Sequence, residues 1–383
     1  MTPPIAILGA GPSGLALGQL LEVANITYII FERDESATWA IGQGGTLDLH
    51  AGSGQLALKE AGLLDQFKSL ARYEQTTTIA DAKGMVHARF SGSGDNDRPE
   101  IDRRDLRALL LSSVPANNVR WGQRVQHVQR DTNGSMSVHF SDRSIESGFR
   151  LVVGADGAWS KARSLVTPAK PQYSGLHYLT TSIKAENPFH SSAVSLVGQG
   201  NYMAVGDGKQ ISAQKLGDGS YYIAVGLRLP ERWSSENAAL LEDPSALRQS
   251  LLRDHFADWP QVHTDLIKHS EGHFRAWPLY AMPTESLSWQ TVPGITLIGD
   301  AAHVTTPFEG EGVNCAMYDS VQLAQQIVKH GLDDLDLAVS EYEKSMFPRA
   351  IDLIRRSAEN GKLLFAPDAP RGFLEAFGAI DST

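Results

Sequence analysis

Residues Ile5 to Gly14 read I-A-I-L-G-A-G-P-S-G, an apolar run that passes without a break into G-x-G-x-x-G. A chain with that junction is expected to form a strand, a tight turn and a helix at the head of a parallel sheet. Gly9 permits the turn and Gly11 lets the backbone approach a pyrophosphate. Gly14 lets the following helix, Leu15 to Glu22, pack close on the strand, so that its unpaired amides face the phosphates. Thr27 to Phe31 (T-Y-I-I-F) reads as the second strand, and Glu32 closes it. A carboxylate at that point accepts ribose hydroxyls and repels a 2′-phosphate, which favours the adenosine of FAD or NAD over that of NADP.

In a chain with 35 glycines the spacing alone would be weak evidence. The strand before it, the helix after it and the acid-tipped second strand give it weight. Gly52-Ser-Gly54-Gln-Leu-Ala57 fits a relaxed form of the pattern but has no such strand behind it, so it reads as a turn and the start of a surface helix over Ala57 to Leu64.

A chain of 383 residues, 42% of them hydrophobic, can bury a large core and is expected to form two domains. No apolar run is long enough to cross a bilayer, and the first apolar stretch holds the glycine turn instead of a signal sequence, so a soluble, cytoplasmic protein is expected. Cys315 is the only cysteine, which excludes an internal disulfide, and neither H-E-x-x-H nor a paired-cysteine spacing occurs, so no metal site is expected. A net charge of −10 argues against a nucleic-acid surface and against an anionic membrane. The expected partners are small molecules, and a monomer is expected.

Along the chain, strand, helix, strand and a glycine-rich segment (Ile41 to Thr46) open a parallel sheet. Thr76 to Phe90 reads as short strands turning at Lys83-Gly84, followed by a polar loop from Ser91 to Pro99. Asp102 is expected to cap a helix whose apolar stripe is Leu106, Leu109 and Leu110. Val119 to Val128, Ser137 to Phe140 and Arg150 to Val153 read as strands. Between Pro171 and His273 the pattern becomes antiparallel, with strands expected at Leu176 to Ile183, Ser192 to Val197, Gln210 to Lys215 and Tyr221 to Leu227, and a helix at Pro244 to Phe256. A strand resumes at Ile295, a helix spans Gly312 to Lys329, and a last helix, Leu337 to Leu364, is expected to break at Pro348. The expected fold is thus α/β: a discontinuous Rossmann-like nucleotide-binding domain (residues 1–75, 100–170 and 275–332), an inserted, mostly antiparallel β-sheet substrate domain (76–99 and 171–274) and a C-terminal helical segment (333–383).

Two later motifs point at the same ligand. Gly154-Ala-Asp156-Gly157 follows a strand, with Ser160 and Arg163 behind it. Gly299-Asp300-Ala-Ala-His303 leads through V-T-T-P-F-E-G-E-G-V-N, with Pro307, Gly310, Gly312 and Asn314, into the next helix. A carboxylate such as Asp300 suits polyol hydroxyls, and loop amides at a helix start suit an electron-rich ring edge. In this order the three motifs resemble the FAD-dependent aromatic hydroxylases, the single-component flavoprotein monooxygenases. Gly44 to Gln55 (G-G-T-L-D-L-H-A-G-S-G-Q), Pro99 to Ala108 and Gly299 to Asn314 look most like the tetracycline-inactivating monooxygenases of the TetX type.

That resemblance implies FAD held by Gly9, Gly11, Ser13, Gly14, Glu32, Arg33, Asp48, Arg103, Arg107, Asp156, Asp300, Gly312 and Asn314. It also implies NADPH or NADH as a transient reductant, and hydroxylation by O2 through a flavin C4a-hydroperoxide, with Pro307 and Gly310 beside the reacting carbon. His303 is expected to be structural. The substrate positions that match are Thr180 and Asn201, where the resemblance would put glutamine and arginine, and Tyr222, where it would put histidine. An arginine used in flavin or nicotinamide handling falls at Ile41. The cofactor machinery therefore carries over and the tetracycline grip does not. A flat polycyclic or aromatic enol or phenol is expected instead, against Thr180, Asn201, Met203, Tyr222 and Phe308, with Tyr178 and Tyr202 also able to line the cleft. The alternatives are an FAD-dependent dehydrogenase or reductase without oxygenation, and a non-catalytic flavin-binding regulator.

Overall fold

The computed structural model describes residues 3–37, 44–73, 75–91, 98–376 and 378; Ile41 and most of the polar loop at 91–99 lie outside them. The strand expected at the head of the chain is Ile5–Leu8, entirely buried. It forms the middle of a five-stranded sheet in which Ile295–Leu297, Leu151–Gly154, Ile5–Leu8, Tyr28–Phe31 and Val119–Arg120 lie side by side, all parallel. The helices Pro12–Val23 and Gly312–His330 pack against each other on this sheet, with the alanines and leucines of the first helix buried.

The second large sheet has seven strands, in the order Glu271–Ala281, Gln172–Ile183, Tyr221–Arg228, Lys209–Lys215, Asn201–Gly206, Thr76–Asp81 and Val86–Ser91. All neighbours are antiparallel except Asn201–Gly206 and Thr76–Asp81, which run parallel. One face of this sheet buries Leu179, Ile211, Ile223 and Val225 under a layer of short helices. The other face turns towards the nucleotide-binding half. Small antiparallel units complete the fold: Val125–Arg130, Met136–Phe140 and Ile145–Phe149, and the pair Thr46–Asp48 with Glu100–Asp102.

Several expectations are corrected. Ser192 to Val197 is not a strand but the end of a helix, His190–Val197, because Ala193 and Val197 lie one helical turn apart and share a buried face. The sheet instead gains Asn201–Gly206, and its last strand continues to Ala281. Val119 to Val128 forms two strands, with Trp121 to Arg124 between them. Asp102 precedes the helix Arg103–Ser113 but makes no side-chain cap; its buried carboxylate takes Arg72 at 2.7 Å and the Gly217 amide at 3.0 Å. The C-terminal helix runs unbroken from Leu335 to Leu364 through Pro348. Tyr342, Met346, Ala350 and Leu353 are all buried on one side of it, and that packing outweighs the roughly 3 kcal/mol cost of an interior proline.

Candidate active site

The glycine turn meets the Asp-Gly segment directly. Gly9 has φ +109°, and a Cβ there would stand 2.4 Å from the Ala155 carbonyl; one on Gly14 would stand 2.0 Å from the Gly9 carbonyl. Gly11, by contrast, faces open space, so its backbone is free for a ligand to approach. Glu32 is 7% exposed and accepts the amides of Ala10 at 2.6 Å and Asp34 at 2.9 Å, one on each oxygen. Arg107 reaches the Ala10 carbonyl at 3.3 Å and Asp34 at 3.0 Å. These residues, with Arg33, Arg124 and Trp159, border a hollow of about 650 Å³ that contains the Gly9–Gly11 turn.

That hollow joins a second one, of about 630 Å³, at Gly11, Arg103, Ala155 and Gly157. The second hollow runs past Ser13, Asp48, Asp300, Pro307, Gly310 and Gly312 to the inner face of the seven-stranded sheet. Two arginines fix its walls. Arg163, 4% exposed, donates to the carbonyls of Ala301 (2.8 Å), Ala158 (2.7 Å) and Asp300 (2.9 Å), which ties the Asp-Gly segment to the G-D-A-A-H turn. Arg349 comes from the C-terminal helix and donates to Asp319 at 2.6 Å; Asp319 also holds the His303 ring at 2.6 Å and the Gly299 amide at 2.8 Å. Burial alone would depress His303, but the facing Asp319, with Cys315, holds the imidazole well above its ordinary value.

Asp300 is exposed where it lines the cleft, and desolvation by the surrounding protein raises its carboxyl, against the pull of His303, Arg103 and Arg163. Burial likewise raises Asp156, whose Oδ2 accepts the Lys161 amide at 2.7 Å while Oδ1 is buried without a partner.

The sheet floor follows from strand register. Asn201, Gln214 and Tyr222 are paired across three strands, and Met203, Ser212 and Ala224 form the next row; all six line the cleft. Asn201 donates to Glu100 at 2.5 Å. Glu100 itself is 7% exposed, and burial raises its carboxyl. Burial also raises the phenol of Tyr222, which is hydrogen-bonded to Thr180.

Three expected contacts stand elsewhere. Asn314 is fully buried and does not border the cleft: its Oδ1 accepts the amides of His50 (2.9 Å) and Gly54 (3.3 Å), and its Nδ2 donates to the Asp48 carbonyl (2.8 Å). It clamps the segment that carries Asp48. Thr180 accepts the Trp277 indole N–H at 3.0 Å and lines an adjoining hollow beyond Tyr222. The Phe308 ring packs edge-on to Tyr178 and Phe365, while its neighbours Pro307 and Gly310 line the cleft. Sequence reasoning assigned no role to Arg163, Arg349 or Glu100. Arg163 and Glu100 stand inside segments that carry the resemblance; Arg349 carried no local signal. His303, Cys315 and Asp319 bring their ligand atoms within 4.8 Å of one another, but Arg349 lays its own cation on Asp319, which disfavours a metal ion there.

The family model described as FAD binding domain matches residues 2–334. The chain is also 30% identical over 427 residues to the monooxygenase asqM of Emericella nidulans, covering 95% of this chain and 96% of that one. The chain belongs to the FAD-dependent aromatic monooxygenases. This monooxygenase has the fold of Klebsiella pneumoniae HpxO complexed with FAD and uric acid (TM-score 0.78, 24% identity, 97% and 91% of the two chains covered). It also has that of the tetracycline destructase Tet(51) (TM-score 0.73, 18% identity, 100% and 99% covered). Its residues fit FAD: the joined hollows form one trench, Gly11 leaves the turn open at their junction, and Asp156 borders the first of them. Among the described residues no helix is long and apolar enough to cross a membrane.

Proposed function

We propose that this monooxygenase hydroxylates a flat polycyclic or aromatic enol or phenol, drawing electrons from NAD(P)H and oxygen from O2. The observation that carries this reading is the single trench that begins at Glu32 and the glycine turn and ends on the floor of Asn201, Met203 and Tyr222. Glu32, Gly11, Ser13 and the N-terminus of Pro12–Val23 would hold the adenosine and pyrophosphate, with Arg33 and Arg107 at the rim. Asp48, Arg103, Asp156 and Asp300 would hold the middle of the cofactor. The loop through Pro307, Gly310 and Gly312 would cover the ring. Bound FAD supplies electron storage and oxygen activation.

The chain's own work is orientation and exclusion of water. Tyr178, Met203 and Tyr222 offer ring-sized apolar surface, and a substrate seated there displaces water from the reacting edge. Neither a side-chain nucleophile nor a metal is required. The test is purified, FAD-loaded protein offered NADPH or NADH with a panel of polycyclic phenols, tetracyclines included. A product heavier by one oxygen atom, labelled when ¹⁸O₂ is supplied, is the expected result. Electron transfer without oxygen incorporation would replace the proposal with a dehydrogenase, and bound flavin with no NAD(P)H oxidation would replace it with a regulator.

A further inference from the structure

On the sheet floor one glycine interrupts a row of side chains. Tyr178 pairs with Gly226, and Gly226 pairs with Gln210, so the three residues stand abreast on adjacent strands. A Cβ on Gly226 would lie 2.8 Å from the Tyr178 ring and 3.2 Å from the Gln210 Cβ. Glycine therefore leaves the space through which the phenol crosses to its neighbour's neighbour. There the Tyr178 hydroxyl donates to Gln210 Oε1 at 3.0 Å. Burial pushes the Tyr178 phenol far up, so it stays a neutral donor. A carboxamide whose oxygen is occupied in this way has its nitrogen turned the other way. Gln210 is 4% exposed, lines the cleft, and has no acceptor for its Nε2 among the described residues.

The charges of the cleft are unevenly placed. Among the described residues, the charged ones that line it are Asp48, Arg103 and Asp300, two acids and one base, all on the nucleotide-binding side. The sheet residues that line it are uncharged, and behind Asn201 sits a further acid, Glu100. Arg103 and Arg275 act on the Tyr222 end of the floor, whereas the row of Tyr178, Gly226 and Gln210 holds no charged residue, so an anionic substrate group seated beside Gln210 would be buried without an adjoining cation, which costs several kcal/mol.

We propose that Gln210, turned by Tyr178 across Gly226, donates to a carbonyl oxygen of a neutral polycyclic substrate, and that this end of the floor rejects carboxylates. This rests on the aromatic-substrate reading given above. The test pairs two ligands of one skeleton, 1-hydroxy-2-naphthamide and 1-hydroxy-2-naphthoate, titrated into FAD-loaded protein while the flavin absorbance is followed. The amide is expected to bind about tenfold or more tightly than the carboxylate. Gln210→Leu is expected to weaken the amide by about tenfold, the loss of one buried hydrogen bond, and to leave the carboxylate little changed. A purely structural role for Gln210 would not alter that ratio.

Should Gln210→Leu fail to load FAD, Tyr178→Phe carries the test, because it leaves the amide in place but frees it to turn; a weakening of about threefold or more is expected for the naphthamide. Carboxylate binding as tight as that of the amide, or unchanged amide affinity in the variant that loads, overturns the proposal while the aromatic reading stands. A flavin spectrum moved by neither ligand, nor by any phenol of the wider panel, removes both.

Discussion

Replacing Arg163 by methionine keeps most of the stem's volume and removes all three of its hydrogen bonds to carbonyls. Hydrogen bonds from a charged group contribute about 1.5–3 kcal/mol each, so three would sum to well over 4 kcal/mol. That sum overstates the loss. The Arg163 guanidinium is itself buried, which lowers its pKa, and its desolvation cost disappears with it. Of the carbonyls left behind, that of Asp300 belongs to a residue that opens to the cleft and can take water, whereas Ala301 is fully buried and cannot. The net destabilisation should be about 3 kcal/mol. Because the same bonds set the position of Asp300, FAD affinity should fall as well, by about tenfold beyond what reduced stability explains. Chemical unfolding of the apoprotein and titration of FAD by fluorescence quenching measure the two effects separately. Arg163→Met unfolding within about 0.5 kcal/mol of the parent and binding FAD within about twofold would refute the idea that this residue joins the two motifs.

Glu100 carries a pH signature. Its folded carboxyl binds its proton more tightly than the unfolded one, so ionisation costs stability as pH rises through the window that starts near the ordinary value of 4.5. Glu100→Gln escapes that cost, and its melting temperature should gain on the parent's as the pH is raised from about 5 to about 8; a gap that narrows would contradict the assignment. At the first turn, Gly14→Ala would drive a methyl to 2.0 Å from the Gly9 carbonyl and push the helix off the strand. The purified variant should be colourless, and a yellow preparation with full flavin content would mean that the turn tolerates the shift.

How far the sequence could be read depended on how local the signal was. The strand, turn and helix of Ile5 to Glu22 obey short-range rules, and so do the Gly206-Asp207-Gly208 and Gly217-Asp218-Gly219 turns, where Asp207, Gly208 and Gly219 take positive φ. The segment Ser192 to Val197 misled because a short apolar run satisfies both periodicities, and only the sheet it packs on decides between them. Pro348 misled for a similar reason, since burial on one helix face overrides a local penalty. In the site, the backbone positions were legible and the side-chain errands were not. Asn314 looked like a ligand for the cofactor and spends its amide on His50, Gly54 and Asp48, all more than 250 positions away in sequence. Nothing near Tyr178 or Gln210 marks their partnership, which exists only after three strands have come into register.

The C-terminal helix reaches back to the cleft. Ser357 bonds both the hydroxyl and the carbonyl of Thr306, Asn360 holds the Phe308 carbonyl at 3.2 Å, and Arg356 pairs with Glu309. The loop proposed to roof the ring is thus bolted from outside by a segment lying beyond residue 334, where the family match stops. A chimera that grafts another enzyme's tail onto this catalytic half would inherit a different roof. Libraries meant to change what the enzyme accepts should therefore include the inward face of that tail along with the sheet.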